Sequence, residues 1–232
     1  MNKQLVLLSI FLGCMSTAFS QRGTIENLPN FDKKEIHYGF YLGINQNDFK
    51  VSYKPSSIES PEVIVHPEIG FNVGLIADVR MSNRFNFRFE PGLSSNAKTI
   101  AFRHIGSSPD SIRSINSTYL HIPILLKMSA DRYHNIKPYV LAGISFNHNF
   151  SSNQKNNDDN YAGEWRMKSD LFMYEVGVGI DIYLTYFKLS PSIRGVFALD
   201  NEIKYDNTSG SPWTDPVKFM GTRGVFLNLA FE

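Results

Sequence analysis

The sequence predicts an all-β protein, an eight-stranded antiparallel transmembrane β-barrel with short periplasmic turns and long external loops. Apolar residues recur at every second position in eight separate segments, which is the period of a strand with two different faces. The connections between these segments are alternately short and long, as in outer-membrane barrels. The residues between the apolar positions are rich in glycine and in balanced charge, which is typical of a packed polar interior.

The composition excludes several other classes of protein. Of the 232 residues, 13% are aromatic and only 19% are charged, which excludes an intrinsically disordered chain. No apolar run approaches the roughly 20 residues that a transmembrane helix needs. The 23 basic and 22 acidic residues create no basic field, so we expect no nucleic-acid partner.

The N-terminal segment predicts export from the cytoplasm. Lys3 precedes a short apolar run at Leu5–Leu12, and Ala18 and Ser20 supply the small residues of a cleavage site after Ser20. Residues 1–20 therefore have the organisation of a secretory signal peptide that is cleaved after Ser20. We expect the mature protein to be integral to the bacterial outer membrane.

The single cysteine leaves an alternative for this segment. Cys14 could be a lipoprotein cleavage site, but Phe11 stands where such a site prefers an aliphatic residue. If cleavage follows Ser20, Cys14 is removed with the signal peptide. The mature chain then has no cysteine for a disulfide, a zinc-thiolate site or a nucleophile.

Each of the eight segments carries one apolar row. Most of the segments are about 9–12 residues long, the length with which a tilted strand crosses a bilayer. In chain order, the rows begin and end at Ile36 and Ile44, Ile69 and Val79, Phe85 and Leu93, Leu120 and Leu126, Val140 and Phe146, Phe172 and Ile182, Phe187 and Ile193, and Val225 and Phe231.

The connections fall into two classes that alternate strictly. A soluble sandwich has no physical reason to keep this alternation through seven connections, whereas outer-membrane barrels have short periplasmic turns and longer external loops. The compact connections are residues 82–84, 130–136 and 185–186, and the long polar ones are residues 50–64, 99–116, 149–169 and 200–221.

The face opposite the apolar rows distinguishes a membrane barrel from a soluble, lipocalin-like barrel. A face exposed to water would be rich in Lys, Glu and Thr, whereas this face carries nine glycines, which relieve crowding where strands curve tightly. Acids and bases are expected to share the interior as charge pairs, because a buried charge needs a partner. They are Glu68, Asp78, Glu90, Glu175 and Asp181 with Arg80, Arg88, Lys127, Lys188 and Arg194.

The two ends of the mature chain complete the predicted organisation. Residues 21–34 form a short periplasmic lead-in or plug, and residues 35–232 form the barrel. The alternating segment that ends at Phe231 is similar to the signal read by the barrel assembly machinery, so this machinery and the lipid bilayer are expected partners. Two aromatic girdles are expected, one on the turn side from Tyr38, Phe85, Phe187 and Phe231, and one on the loop side from Phe49, Phe102, Phe146 and Phe172.

The predicted barrel offers little room for transport or catalysis. Eight strands enclose an interior just wide enough for side chains to fill, so we do not expect a conduit. We expect His121 to be a hydrogen-bonded interior residue near Glu175 or Asp181, and His104 and His148 to lie near the loops. We assign no catalytic, cofactor-binding or metal-binding residues and expect no enzyme activity, because no metal-binding pattern links the six histidines, which are His37, His66, His104, His121, His134 and His148.

Several stretches resemble known outer-membrane proteins of Bacteroidota. Ser117–Lys127, Lys137–Gly143 and Tyr174–Gly179 contain elements that are shared by the wider β-barrel family of these bacteria and so indicate the fold more than the role. The stretches Phe31–Phe40 and Leu42–Asn45 resemble the PorT family, called SprT in gliding bacteria, and the more specific parts of this resemblance are the lead-in motif Phe-Asp-Lys-Lys at Phe31–Lys34 and the segment Tyr186–Ser190.

This resemblance implies an accessory component of the type IX secretion system. That system exports proteins that carry a C-terminal signal domain, and it supports gliding motility in some bacteria. The resemblance implies the translocon or associated outer-membrane proteins as partners, reached through exposed loops and the lead-in. A generic small structural or adhesive barrel stays open as an alternative, and an outer-membrane hydrolase is a weaker one.

Overall fold

The computed structural model describes residues 26–55, 63–102, 105, 111–155, 165–207 and 211–232. The predicted signal peptide, Cys14, the first five residues of the predicted lead-in and His104 lie outside the described residues. A 3-10 turn at Phe31–Lys33 precedes the strands. The strands are β1 (Ile36–Tyr53), β2 (Val63–Pro67), β3 (Ile69–Arg80), β4 (Phe85–Phe89), β5 (Gly92–Phe102), β6 (Ile112–Ser129), β7 (Ile136–Asn149), β8 (Asp170–Tyr183), β9 (Lys188–Ala198) and β10 (Val217–Phe231).

The sheet closes on itself as an antiparallel barrel. β1 pairs with β10 on one side and with β3 on the other, and β6 to β10 follow one another around the wall. Closure satisfies the backbone donors and acceptors of both outer strands, which a membrane requires because lipid offers no hydrogen bonds. The predicted all-β antiparallel barrel is confirmed.

One wall position is shared by two strands. β4 pairs with β3 and β6 near the short turns, and β5 pairs with the same two strands near the long connections. The break lies at Glu90 and Pro91, where proline lacks a backbone donor. The carbonyl of Pro91 still accepts from Leu75 N at 2.9 Å, so the wall stays continuous. With β4 and β5 counted as one position, eight positions form the barrel wall. β2 continues the position of β3 towards the long connections, because both strands pair with β5, β2 with Lys98–Phe102 and β3 with Gly92–Ser95.

The outer surface of the barrel is apolar along the predicted rows. On β1 the exposed residues are the even-numbered ones from Ile36 to Ile44, and on β10 they include Val225, Leu227 and Leu229. A surface of exposed large apolar side chains around the whole wall suits contact with lipid. Within the described ranges, no helix has the length and the apolar character to cross a membrane.

Five strands, β1, β6, β7, β8 and β10, are longer than the predicted 9–12 residues. β1 and β6 each contain 18 residues, and β1 continues through Gln46, Asp48 and Lys50 after its apolar row has ended. The backbone ladder does not depend on outward side chains, so pairing continues after the surface has become polar. The barrel therefore extends past its apolar band at the end with the long connections, called here the loop end; the opposite end is the turn end.

Two of the ten predicted interior charges lie elsewhere. Glu68 is exposed between β2 and β3, where the chain has already left the apolar band, and Arg80 is half-buried at the turn-end rim, where its guanidinium reaches Asn83. The other eight are buried inside the barrel, as predicted: Asp78, Glu90, Glu175, Asp181, Arg88, Lys127, Lys188 and Arg194.

The predicted turn-side girdle is confirmed, and the predicted loop-side girdle is half right. The turn-side rings lie on the outer surface, and on the loop side Phe146 and Phe172 face outward together, with ring centroids 5.5 Å apart. Phe49 and Phe102 were assigned to the girdle wrongly, because they are only 3% and 1% exposed and lie inside the barrel. Both belong to inward-facing positions of their strands.

Candidate functional site

The interior of the apolar band is filled by a charged layer, which comprises Asp78, Arg88, Glu90, His121, Lys127, Glu175, Asp181, Lys188, Arg194 and Glu232. Arg88 lies 3.3 Å from Asp78 and 3.0 Å from Glu232, and it also bonds to Glu90. Arg194 Nη1 lies 2.5 Å from Glu90 Oε2 and 3.8 Å from Glu175 Oε2. Each acid in this group therefore faces a buried base, as buried charges require.

The second half of the charged layer lies towards the turn end. Lys127 Nζ is 2.7 Å from Asp181 Oδ2, and Lys188 Nζ bridges Asp181 at 3.7 Å and Glu232 at 3.0 Å. The predicted position of His121 is confirmed, because its Nε2 lies 3.1 Å from Glu175 Oε1. Nδ1 of the same ring lies 2.6 Å from Asn147 Oδ1, so both ring nitrogens of His121 are engaged in the packed interior.

Glycines let large inward side chains fit into this narrow interior. Tyr41 is buried against Gly74 of the facing strand, where an added Cβ would lie 2.6 Å from the ring. Tyr139 lies in the same way against Gly179. The glycine-rich inner face thus packs rings against backbone, which only a residue without a side chain allows.

An uncharged amide layer lies above the charged layer, towards the loop end. Asn45 Nδ2 donates to Asn72 Oδ1 and to Ser94 Oγ, each at 3.3 Å, and Asn47 Nδ2 donates to Asn45 Oδ1 at 3.3 Å. Asn72 also donates to the buried side chain of Asn228. These side chains bond to one another along the inner face of the neighbouring strands β10, β1, β3 and β5 and continue the filling of the lumen.

The loop end contains a hydrophobic core inside the barrel, which comprises Phe49, Ile100, Phe102, Ile115, Trp165, Met167, Ile203, Trp213, Val217 and Met220. Trp165 and Trp213 come from the two long connections that follow β7 and β9, and both are buried. Arg166 joins these connections through an ion pair of 3.2 Å to Asp206. The loop end is thus closed by a core of the kind found in soluble proteins.

One buried acid lies beside this core. Glu202 accepts hydrogen bonds from the backbone and the hydroxyl of Thr222, and burial raises the pKa of its carboxyl. Lys98 is also buried there, with its ammonium 3.6 Å from the ring centroid of Phe49. Glu202 and Lys98 are therefore both held by specific partners beside the core.

The lead-in covers the turn end of the lumen. Phe31 stacks on His37 with ring centroids 4.2 Å apart, and the Lys188 ammonium lies 4.8 Å from the Phe31 ring. Tyr183 donates its hydroxyl to Asp32 at 2.7 Å. Residues 26–34 therefore act as a cover of the barrel mouth, and the alternative of a plug deep in the lumen does not apply to them.

Arg132, in the β6–β7 turn, holds the lead-in from the other side. Its guanidinium donates to the carbonyls of Asn27 and Leu28 and lies 3.7 Å from the ring centroid of Tyr183. Asn27 N in turn donates to Asn135 Oδ1 at 2.8 Å. The lead-in is fixed by neighbours from several strands, which the sequence pattern did not indicate.

The other histidines are spread over the molecule. His66 is exposed on β2, His134 lies in the β6–β7 turn, and His148 is partly exposed with Nδ1 2.6 Å from Asp170 Oδ1. In the part of the chain that the structure describes, no group of three or more His, Cys, Asp or Glu residues is placed to hold a metal ion.

Comparison with protein families agrees with this architecture. A family model described as an outer membrane protein beta-barrel domain matches residues 19–204. The chain belongs to this family. It is therefore an integral outer-membrane barrel, and the apolar rows described above are its lipid-facing surface.

Several solved structures are similar to this outer-membrane barrel. OprG from Pseudomonas aeruginosa is 12% identical, with 84% of this chain and 92% of that chain covered and a TM-score of 0.47. AlkL is 13% identical, with 92% and 93% covered and a TM-score of 0.43. Neisserial surface protein A is 13% identical, with 85% and 98% covered and a TM-score of 0.42. No curated protein matches the chain.

The last two residues join the barrel seam to the charged layer. Phe231 pairs with Phe40 across the seam and stacks on its ring at 5.0 Å, and the backbone of Glu232 exchanges two hydrogen bonds with Lys188.

Deletion of Phe231 and Glu232 should therefore reduce the fraction of the protein that assembles into the barrel several-fold, measured as the heat-modifiable band on a gel of unboiled membranes. The variant Glu232→Gln keeps the backbone pairing and is the control for the loss of charge alone; an unchanged band after the deletion would contradict the importance of this seam.

Proposed function

We propose that the protein is an accessory component of the type IX secretion machinery, which supports export of signal-domain cargo without itself being the conduit. The observation that carries this proposal is the position of the PorT-like lead-in motif, Phe31–Lys34, at the mouth of a filled lumen. This segment combines an exposed surface with a fixed position.

The filled lumen supports an accessory role. The charged layer, the amide layer and the loop-end core occupy successive levels of the interior. A polypeptide could pass only if buried ion pairs such as Arg194–Glu90 and the two buried tryptophans were displaced. The energetic cost of exposing several buried charges argues against passage of cargo.

The lead-in supplies a surface for a partner on the periplasmic side. Lys33, Lys34 and Glu35 are exposed next to the covered mouth, and the inward side of the lead-in is held by Tyr183 and Arg132. Exposed polar residues on a fixed segment are suited to docking, because little conformational entropy is lost when a partner binds. We assign this surface to contact with the translocon or with an associated outer-membrane protein.

Deletion of the gene, followed by complementation, tests the proposal. Loss of the protein should trap signal-domain cargo in the periplasm, and the wild-type gene should restore secretion. A variant with Lys33→Glu and Lys34→Glu should restore it poorly at normal barrel levels, whereas Lys50→Glu at the loop end should restore it fully. Crosslinking in intact envelopes from position 34 then identifies the partner.

Normal export in the deletion strain would overturn the secretion role. Unaffected secretion combined with altered surface binding or envelope integrity would instead support the generic structural or adhesive barrel. The level of the heat-modifiable barrel must be equal in all complemented strains, so that a folding defect is not read as a docking defect.

A further inference from the structure

A groove crosses the lipid-facing surface of the barrel. Its volume is about 1360 Å³, which exceeds the roughly 300–1,000 Å³ of an ordinary small-molecule pocket, so the groove has room for a long chain. Its wall comes from β1, from β6 to β10 and from the β3–β4 and β6–β7 turns. No residue of the described lead-in borders it, so the groove is separate from the surface assigned above to the secretion partner.

The groove follows the direction in which the strands pair. Leu42 lies opposite Leu229, which lies opposite Pro191, and the line of paired residues continues through β8 and β7 to Ser129 at the end of β6. The strands of an outer-membrane barrel tilt by about 35–45°, so a line across them climbs obliquely through the membrane. The groove therefore runs from the turn end of the apolar band, at Arg84, towards the loop end, at Leu42.

The groove is apolar along most of its length. Its exposed wall consists of aliphatic side chains such as Val140, Ile180 and Ile193. Polar residues such as Ser192 and Asn228 also border it, but their side chains are buried inside the barrel. A wall without exposed polar groups suits a hydrocarbon chain.

The turn end of the groove differs from the rest. Among the described residues that border the groove, only Arg84 and Asp131 present exposed charge; they form an ion pair of 2.8 Å, with 63% and 78% of their side chains exposed. Arg84 Nε and Nη2 donate to Asp131 at 3.3 and 2.8 Å, and Nη1 has no partner in the described ranges. The carboxylate of Asp131 also has accepting capacity left, since its two oxygens offer about four lone pairs. The groove thus combines an apolar length with one free donor and one free acceptor at the membrane interface.

We infer that this groove binds one phospholipid with an ethanolamine headgroup, taken from the leaflet at the turn end. An acyl chain lies along the groove, the phosphate accepts from Arg84, and the ammonium donates to Asp131. Both headgroup contacts are charge-assisted hydrogen bonds, which are stronger than neutral ones. Phosphatidylglycerol has no ammonium to donate to Asp131, and the quaternary ammonium of phosphatidylcholine has no N–H.

A second ion pair on the outer surface separates the effect of the groove from that of the headgroup contacts. Arg223 pairs with Asp48 at 2.6 Å at the loop end, and both side chains are partly exposed. Neither residue borders the groove. The two pairs have the same chemistry, so the loop-end pair is the matched control for charge without a groove.

Native mass spectrometry of the full-length barrel in detergent tests the inference. The protein is incubated with phosphatidylethanolamine, phosphatidylglycerol and phosphatidylcholine at equal concentrations and with identical acyl chains. One phosphatidylethanolamine should stay bound per barrel. The other two lipids should bind about fivefold more weakly, the usual weight of one charge near a membrane surface.

Three groove variants and two matched controls complete the test. Arg84→Gln should weaken the binding of phosphatidylethanolamine about fivefold, and Asp131→Asn should remove its preference over phosphatidylglycerol. Ala130→Trp fills the turn end of the groove and should weaken the binding of all three lipids several-fold. Arg223→Gln and Asp48→Asn should leave lipid binding within twofold. Heat-modifiable migration of every variant confirms that the barrel has folded.

Four results contradict the inference. They are equal binding of the three lipids, several bound lipids per barrel without preference (an annular shell only), an equal effect of substitutions at the two ion pairs, and capture of a protein instead of a lipid by a photocrosslinker at Ile193 in intact envelopes. No measurement involves the lead-in or exported cargo, so failure of this inference leaves the secretion proposal untouched.

Discussion

Replacement of Arg194 by methionine should destabilise the barrel by about 3–5 kcal/mol, the usual cost of removing one partner of a buried ion pair. Arg194 contacts both Glu90 and Glu175 inside the apolar band, and all three side chains are buried. Methionine fills much of the same volume but leaves two carboxylates without this base. Urea-induced unfolding in lipid vesicles, followed by the fluorescence of the two tryptophans, measures the change in free energy.

Arg223→Met is the matched control for this experiment. Arg223 pairs with Asp48 at 2.6 Å on the outer surface of the loop end, where both side chains are partly exposed. Exposed pairs contribute about 0–1 kcal/mol, so the control should unfold almost as the wild type does. Equal unfolding of Arg194→Met and the control would show that the charged layer does not stabilise the barrel.

Replacement of Leu227 by arginine should destabilise the barrel by about 2–4 kcal/mol, the cost of a cationic residue near the centre of the lipid-facing surface. Leu227 lies in the apolar row of β10 and is 43% exposed, opposite Ile44 of β1 and Ile193 of β9. The same urea titration in vesicles measures the effect, with membrane yield and the heat-modifiable band as independent readouts.

Asn116→Arg is the control for Leu227→Arg. Asn116 is exposed on β6, beyond the apolar row that begins at Leu120, so its arginine can reach water. Asn116→Arg should lower the free energy of unfolding by only about 0–1 kcal/mol, as at other positions near a membrane interface. If Leu227→Arg folds and inserts as well as Asn116→Arg, the assigned lipid-facing surface is wrong.

The facing of the strands was predictable because a strand has a strict period of two. Once Leu42 is assigned to the outside, Tyr41 must face the inside, and the structure places both as expected. The same rule would have placed Phe49 inside, since it has the parity of Tyr41. Phe49 was assigned to the loop-side girdle because of its height along the barrel axis. Its odd-numbered position in the alternating pattern of β1 was not taken into account.

The loop-end core was not predicted, since its residues come from segments with no period. Trp165 and Trp213 lie in connections that are otherwise polar, and they are buried only because the strands continue past the apolar band and bring these connections together. Two isolated tryptophans in polar loops were the available signal. A tryptophan side chain is seldom left exposed to water when it can pack into a nearby hydrophobic core.

The cover at the turn end was predicted only in outline. The sequence indicated a lead-in before β1, but its position depends on Arg132 and Tyr183, which are about 100 and 150 residues away in the chain. Contacts between residues so far apart in the chain leave no local pattern in the sequence, so only the three-dimensional structure reveals them.

The loop-end core also determines what a protein that binds the loop end can recognise. Because Trp165, Trp213 and Ile203 are buried in one core, the described parts of the connections after β7 and β9 lie together although they are distant in sequence. An antibody that binds these described parts meets a discontinuous epitope. Immunogens made from loop peptides would not reproduce that epitope, whereas the intact barrel in a vesicle would.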